Sequence, residues 1–261
     1  MSFPNIVYGK YGDEKVAQST LIANELGVPM VLPDGREYVH AKAATVLSIG
    51  VPVVQKAVAG TSVNIAVATS VAIGGTTVVL TMPATTLATV VDQYAGGVLV
   101  VNDSTGAGYT YKIKTSGTAA AASACTFVLE PTDGIVVALV AGTSEVTIRE
   151  NPFYNVLNRA AGTGSVGIPA GVPPVAVSAG FYCWLQRRGE ATLLSAGTVT
   201  VAGRPFACAT TVAGFQAWNA QPVSGTTGAG TTLSPVEESW GYTMVSPAAS
   251  TEYFPGFLML K

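Results

Sequence analysis

Short β segments separated by Gly and Pro turns constrain this chain most, and they are densest in residues 179–212. In Phe181-Tyr182-Cys183-Trp184-Leu185-Gln186, successive strand side chains point to opposite sides, so Phe181, Cys183 and Leu185 share one face and Tyr182, Trp184 and Gln186 the other. Both faces call for cover. Gly189 is expected to break the run and residues 191–194 to resume it. Residues 195–197 then turn the chain into a strand at 198–201, and 202–205 turn it again. The pattern predicts a β-meander.

The same grammar extends upstream. Residues 28–42 carry two apolar runs around Pro33-Asp34-Gly35, where Pro presets φ and Gly accepts a positive φ, so a hairpin is predicted. Ahead of it, Phe3, Tyr8 and Tyr11 with intervening glycines form an extended aromatic arm, and residues 14–26 admit either a short helix or an extended path. Strands are predicted at 62–69, 76–82, 98–101, 109–113, 135–140 and 145–149, spaced as in sandwiches and barrels. Residues 85–94 allow a helical turn, and 119–122 form a loop before a further strand. The Gly-, Ala- and Pro-rich stretch 158–178 lacks periodicity and is taken as a linker, and the chain closes on a strand at 257–260. The expected fold class is all-β. Two small β-barrel or β-sandwich modules, 51–157 and 179–261, follow an N-terminal arm and hairpin in 1–50.

Composition decides which partners suit such a surface. Charged residues are 11% of the 261, against about 25% in ordinary soluble proteins, while hydrophobic residues are 49%. Water-facing positions therefore fall to Thr, Ser, Ala, Gly and Gln, which suits a surface that meets other protein. A net charge of -2, with Arg187-Arg188 the only basic pair, offers no field for a phosphate backbone, so no nucleic-acid partner is expected. No apolar run reaches the ~20 residues of a membrane helix, and residues 1–15 lack a signal-peptide core, so no membrane partner, synthesis in the cytosol and no export are expected.

Each motif with chemical potential has a plainer explanation. Gly162-Thr163-Gly164-Ser165-Val166-Gly167 matches a dinucleotide fingerprint, but Pro169, Pro173 and Pro174 forbid the helix that would receive the pyrophosphate. His40, the only histidine, sits in an alternating strand, and Cys125, Cys183 and Cys208 are widely spaced, as suits buried thiols. Asp13-Glu14 and Glu237-Glu238 are strand or loop neighbours that diverge, and Asp92, Asp103 and Asp133 lack cation-loop spacing. The expectation is no catalytic residue, no cofactor and no metal. Trp218, Trp240, Tyr242 and Tyr253 are expected to be exposed, either as a sugar-stacking platform or between subunits, with interface use favoured. Phe3, Tyr8, Tyr11, Trp218, Trp240 and Tyr242 are the candidate inter-subunit contacts.

Three stretches carry a resemblance. Tyr11-Gly-Asp-Glu-Lys15 with Leu32-Pro-Asp-Gly-Arg-Glu-Tyr38 and Ala41-Lys-Ala43 looks like an opening of phage virion proteins. Tyr94-Ala-Gly-Gly-Val-Leu-Val-Val-Asn-Asp103 with Gly108-Tyr-Thr-Tyr-Lys-Ile113 resembles their central module. Gly171-Val-Pro-Pro174 through Phe181-Tyr-Cys-Trp-Leu-Gln-Arg-Arg-Gly189, Gly197-Thr-Val and Trp240-Gly-Tyr is similar to the small barrel of capsid decoration, or cement, proteins of tailed bacteriophages. The resemblance implies a non-enzymatic structural protein on the capsid exterior of the virion, a homotrimer bound to the major capsid protein, and it supplies no catalytic residue. Two alternatives stay open. One is a tail, baseplate or head-fibre β protein that binds host-surface carbohydrate, and the other a hydrolase using acidic loops of the central module.

Overall fold

The computed structural model describes residues 5–20, 25–84, 89–159, 167–196, 201–209, 213–218, 239–247 and 251–260. In chain order the strands are β1 (Val7–Tyr8), β2 (Pro29–Val31), β3 (Glu37–Lys42), β4 (Val53–Val54), β5 (Ile65–Ala66), β6 (Thr77–Thr81), β7 (Val98–Asp103), β8 (Thr110–Ser116) and β9 (Ala124–Leu129). They continue as β10 (Glu145–Arg149), β11 (Leu157–Asn158), β12 (Pro169–Gly171), β13 (Tyr182–Leu194), β14 (Pro205–Cys208), β15 (Phe215–Ala217), β16 (Gly241–Thr243) and β17 (Tyr253–Met259). The protein is all-β, as its punctuation predicts. It divides into one unit made of residues 1–56 with 153–261 and another made of 57–152, so the second is a chain insertion between β4 and β11.

In the inserted unit, β5-β10-β7-β8-β9-β6 form a six-stranded sheet. Its two ends meet where Val67 pairs with Leu80 and the Ala68 amide donates to the Val79 carbonyl at 2.8 Å, giving a nearly closed barrel. Strand alternation explains the filling. Val78 and Leu80, Leu99 and Val101, Tyr111 and Ile113, Cys125, Phe127 and Leu129, and Val146 and Ile148 all point inward. The strand expected at 135–140 does not form. Ile135, Val136, Leu139 and Val140 donate their amides to Gly75, the Tyr111 hydroxyl, Val71 and the Ser144 hydroxyl respectively, so the run is an irregular loop that sends only Ile135 and Leu139 into the core.

In the other unit the order β1-β2-β3-β13-β17-β16-β14-β15 forms an eight-stranded sheet, and β13 is its spine. The first half of β13 pairs antiparallel with β3, from Tyr182 opposite Lys42 to Arg188 opposite Glu37. The second half pairs with β17, from Arg188 opposite Met259 to Leu194 opposite Tyr253. Gly189, expected as a break, lies inside this strand at φ +89, and a Cβ there would meet Arg36 Cγ at 2.8 Å. It bends the strand without ending it. Beyond β13 the Ala196 amide donates to Phe215 at 2.8 Å, closing β15 back onto the spine. Leu193, Phe206, Phe215, Trp240, Phe254 and Leu258 fill the resulting barrel, with Phe206 edge-on to Phe215 at 5.1 Å.

Both faces of the first half of β13 are covered, as its apolar alternation requires. Cys183 and Leu185 pack with Ala41, Val53, Val156 and Ala170 beside the three-stranded sheet β11-β4-β12, while Trp184 packs on the other side with Met30, Leu32 and Tyr38. Two boundaries drawn from sequence are corrected by these contacts. The hairpin β2–β3 is no separate unit, because β3 pairs with β13. The described part of the expected linker is structural: β12 pairs with β4, Val177 bridges Leu47, and Ala170 is 0% exposed. Lack of periodicity there reflects strands of two or three residues, too short to display any.

Candidate functional site

A groove of about 910 Å³ opens beside the bend in β13. Its charged wall comes from the hairpin turn (Asp34, Arg36, Glu37) and from Glu14 in the 3-10 turn Asp13–Lys15. The turn forms because the Gly35 amide donates to Leu32 and the Leu32 amide to Arg36, closing the chain over Pro33-Asp34. Pro173, Pro174, Met244, Pro255 and Phe257 supply apolar lining, and residues 188–192 of β13 complete it.

The charges of this groove largely satisfy one another. The Glu14 side chain is only 2% exposed; its Oε1 lies 3.9 Å from Arg36 and its Oε2 accepts the Gly12 amide at 2.6 Å. Arg36 donates through Nε to Asp34 at 2.7 Å and through Nη1 to the Tyr38 hydroxyl at 2.8 Å. Burial pushes the Tyr38 phenol up to about 12, outweighing the Arg36 charge that favours its ionised form. For Asp34, what burial there is pushes upward, but the hydrogen bonds and charge of Arg36 prevail and hold it below the usual carboxylate value. A depressed carboxyl contributes stability above its unfolded value and loses it as pH falls through the folded one, so this turn weakens only in acid. Arg188 pairs with Glu37 at 3.1 Å on the surface.

The charged groups of this wall are thus engaged mainly with one another and with backbone amides. Replacing Arg36 with Ala leaves the buried Glu14 carboxylate with only the Gly12 amide and, at 4.0 Å, the exposed Lys15 ammonium. We expect a loss of about 2 kcal/mol in urea denaturation, less than the ~3–5 of a fully buried pair because Arg36 keeps 24% exposure, with Arg36→Lys recovering only part.

The residues weighed for chemistry do not converge. His40 lies opposite Trp184 and stacks on Tyr182 at 5.9 Å, whereas Cys183 lies opposite Ala41, so the histidine and this thiol face opposite sides of the sheet. Burial also pushes the Cys183 thiol up to about 12, leaving no thiolate at neutral pH. Asp92, Asp103 and Asp133 each accept a backbone amide, from Ser116, Ser104 and Lys112; the second is local turn chemistry, and the other two tie loops to distant strand β8. Among the described residues no group of three or more His, Cys, Asp or Glu side chains is placed to hold a metal ion. Glu237, Glu238 and all of the glycine fingerprint except Gly167 lie outside the described residues.

Of the candidate inter-subunit contacts, Tyr8 is 83% exposed, Tyr11 63% and Tyr242 48%. Trp218 is half-buried, and Phe3 lies outside the described residues. Trp240 must be corrected. At 3% exposure it packs in the barrel core, edge-on to Phe215 at 5.5 Å, although simple alternation would put it on the same side as exposed Tyr242; Gly241 between them, at φ +157, breaks the alternation. Sequence reasoning missed Phe257 and Met259, 41% and 54% exposed, which alternate with buried Leu258 and Leu260. That alternation is legible in residues 257–260 once their outward side is known. It also missed the Glu14–Arg36 contact, which joins residues distant in sequence. No protein family, curated protein or solved structure matches the chain.

Proposed function

We propose that this is a non-enzymatic structural protein of a tailed-phage virion, a homo-oligomeric decoration protein, trimeric as the resemblance implies, that binds the outer surface of the major capsid lattice and stabilises the head. The observation that carries the reading is a weakly charged all-β surface on which Tyr8, Tyr11, Tyr242, Tyr253, Phe257 and Met259 stand exposed. Covering such side chains removes apolar area from water with little charge to desolvate. An oligomer repeats each weak contact across a symmetric lattice, and multivalency raises affinity by roughly 10²–10⁴. Burial of Trp240 removes one aromatic from a sugar-stacking platform, which weighs against the carbohydrate-binding alternative. The test adds purified protein to expanded heads lacking it. Saturable co-sedimentation and a higher temperature of head rupture are expected; protein left in the supernatant overturns the proposal.

A further inference from the structure

The outer face of the sheet β14-β16-β17-β13 is built from residues that strand alternation turns away from the barrel core. Pro205 lies opposite Tyr242, Tyr242 opposite Phe257, and Phe257 opposite Glu190, so one row crosses all these strands. Met259 beside Arg188 and Pro255 beside Thr192 extend it on either side, and the Met244 amide donates to Pro255. Tyr242, Met244, Tyr253, Phe257 and Met259 are each 41–54% exposed, while Leu193, Phe206, Phe254 and Leu258 beneath them are 0–2% exposed. The inner side of this sheet has its cover; the outer side is a contiguous apolar strip of the kind that marks an interaction surface.

The rim of the strip indicates its occupant. Arg188 and Glu190 lie on the same side of β13, two residues and about 7 Å apart. Turning the face through 180° about an axis between them sets Arg188 of one copy against Glu190 of the other, twice, while the apolar rows meet. The Arg188–Glu37 bond does not compete strongly, since both side chains are 61% and 43% exposed and guanidinium carries five donors. Self-complementarity of this kind is what an isologous contact requires. We infer that this face pairs two copies of the chain across a two-fold axis, centred on Phe257 and Tyr242 and held in register by reciprocal Arg188–Glu190 pairs. The inference rests on the proposed self-association and adds its surface and symmetry. A two-fold contact of this kind doubles whatever assembly contacts elsewhere on the chain make.

Sedimentation of the full chain tests it. The wild-type mass is expected to be an even multiple of the 26.5 kDa chain, and Phe257→Glu is expected to halve it with an unchanged circular dichroism spectrum. Arg188→Glu and Glu190→Arg should each weaken the association about tenfold, and the double exchange should restore it. Recovery in the double exchange decides the matter even where Phe257→Glu fails to fold. An odd or monomeric wild-type mass, an unchanged mass in folded Phe257→Glu, or a double exchange no better than the singles overturns the pairing, including the case in which another segment or protein covers the strip. Head binding separates the two readings. Halved mass without head binding by the wild type removes the decoration role and keeps the pairing, and head binding with an unaltered mass does the reverse.

Discussion

Gly241→Ala is expected to destabilise the C-terminal barrel by about 3 kcal/mol or more, a larger loss than any surface substitution on the same sheet. Gly241 sits in β16, between β14 and β17, opposite Leu258. A Cβ there would lie 2.8 Å from the Phe257 carbonyl carbon and 3.0 Å from Leu258 Cα, closer still to the Phe257 oxygen. These are backbone atoms of a paired strand, and no rotamer change moves them. The strand cannot slide aside either, because the Trp240 amide donates to Phe206 at 3.0 Å on one side and its carbonyl accepts from Met259 at 2.9 Å on the other. Tryptophan fluorescence, from Trp184, Trp218 and Trp240, reports the outcome in a urea titration. A midpoint equal to that of the wild type, or of Gly60→Ala at an open position, contradicts the close approach of β16 and β17.

Excised residues 57–152 are expected to fold alone, with a β-type circular dichroism spectrum and a cooperative melt. The core of this unit runs from Ile65 to Ile148 and draws on no residue outside it, and every ladder of its sheet is internal. The remaining chain is expected to survive the loss when a short Gly-Ser link joins 56 to 153, because β4 on one side of the insertion pairs with β11 on the other, Val53 opposite Asn158. Phe127→Ala sharpens the test. It empties a fully buried site edge-on to Tyr94 and costs about 3–5 kcal/mol, enough to unfold the fragment. In the full chain the tryptophan signal should then persist while the inserted unit melts. A fragment with a random-coil spectrum contradicts this division.

The parts of the fold legible in sequence are those decided by neighbours in the chain. Pro33-Asp34-Gly35 carries its own turn, and the hairpin β2–β3 follows; alternation over 145–149 coincides with β10. What was not legible depends on partners far away. Gly189 has the composition of a break, yet Glu37 and Met259 flank Arg188 on either side and hold β13 continuous through it. The stretch 135–140 has the composition of a strand, but its amides find separate acceptors. Of the candidate contact surface, the exposure of Tyr242 and Tyr253 was legible. The inward turn of Trp240 was not, since it precedes a strand of only three residues and Gly241 breaks the alternation that would pair it with exposed Tyr242. Glu14 and Arg36 gave no signal of their contact, because a loop brings them together across the fold.

The account stands on these sheets being made to be covered by other polypeptides in a particle, with no reaction performed on them. Counting the chain in purified virions by quantitative mass spectrometry tests that most directly. On the order of hundreds of copies per particle, in fixed ratio to the major capsid protein, is the predicted result; a handful of copies, or none, contradicts it.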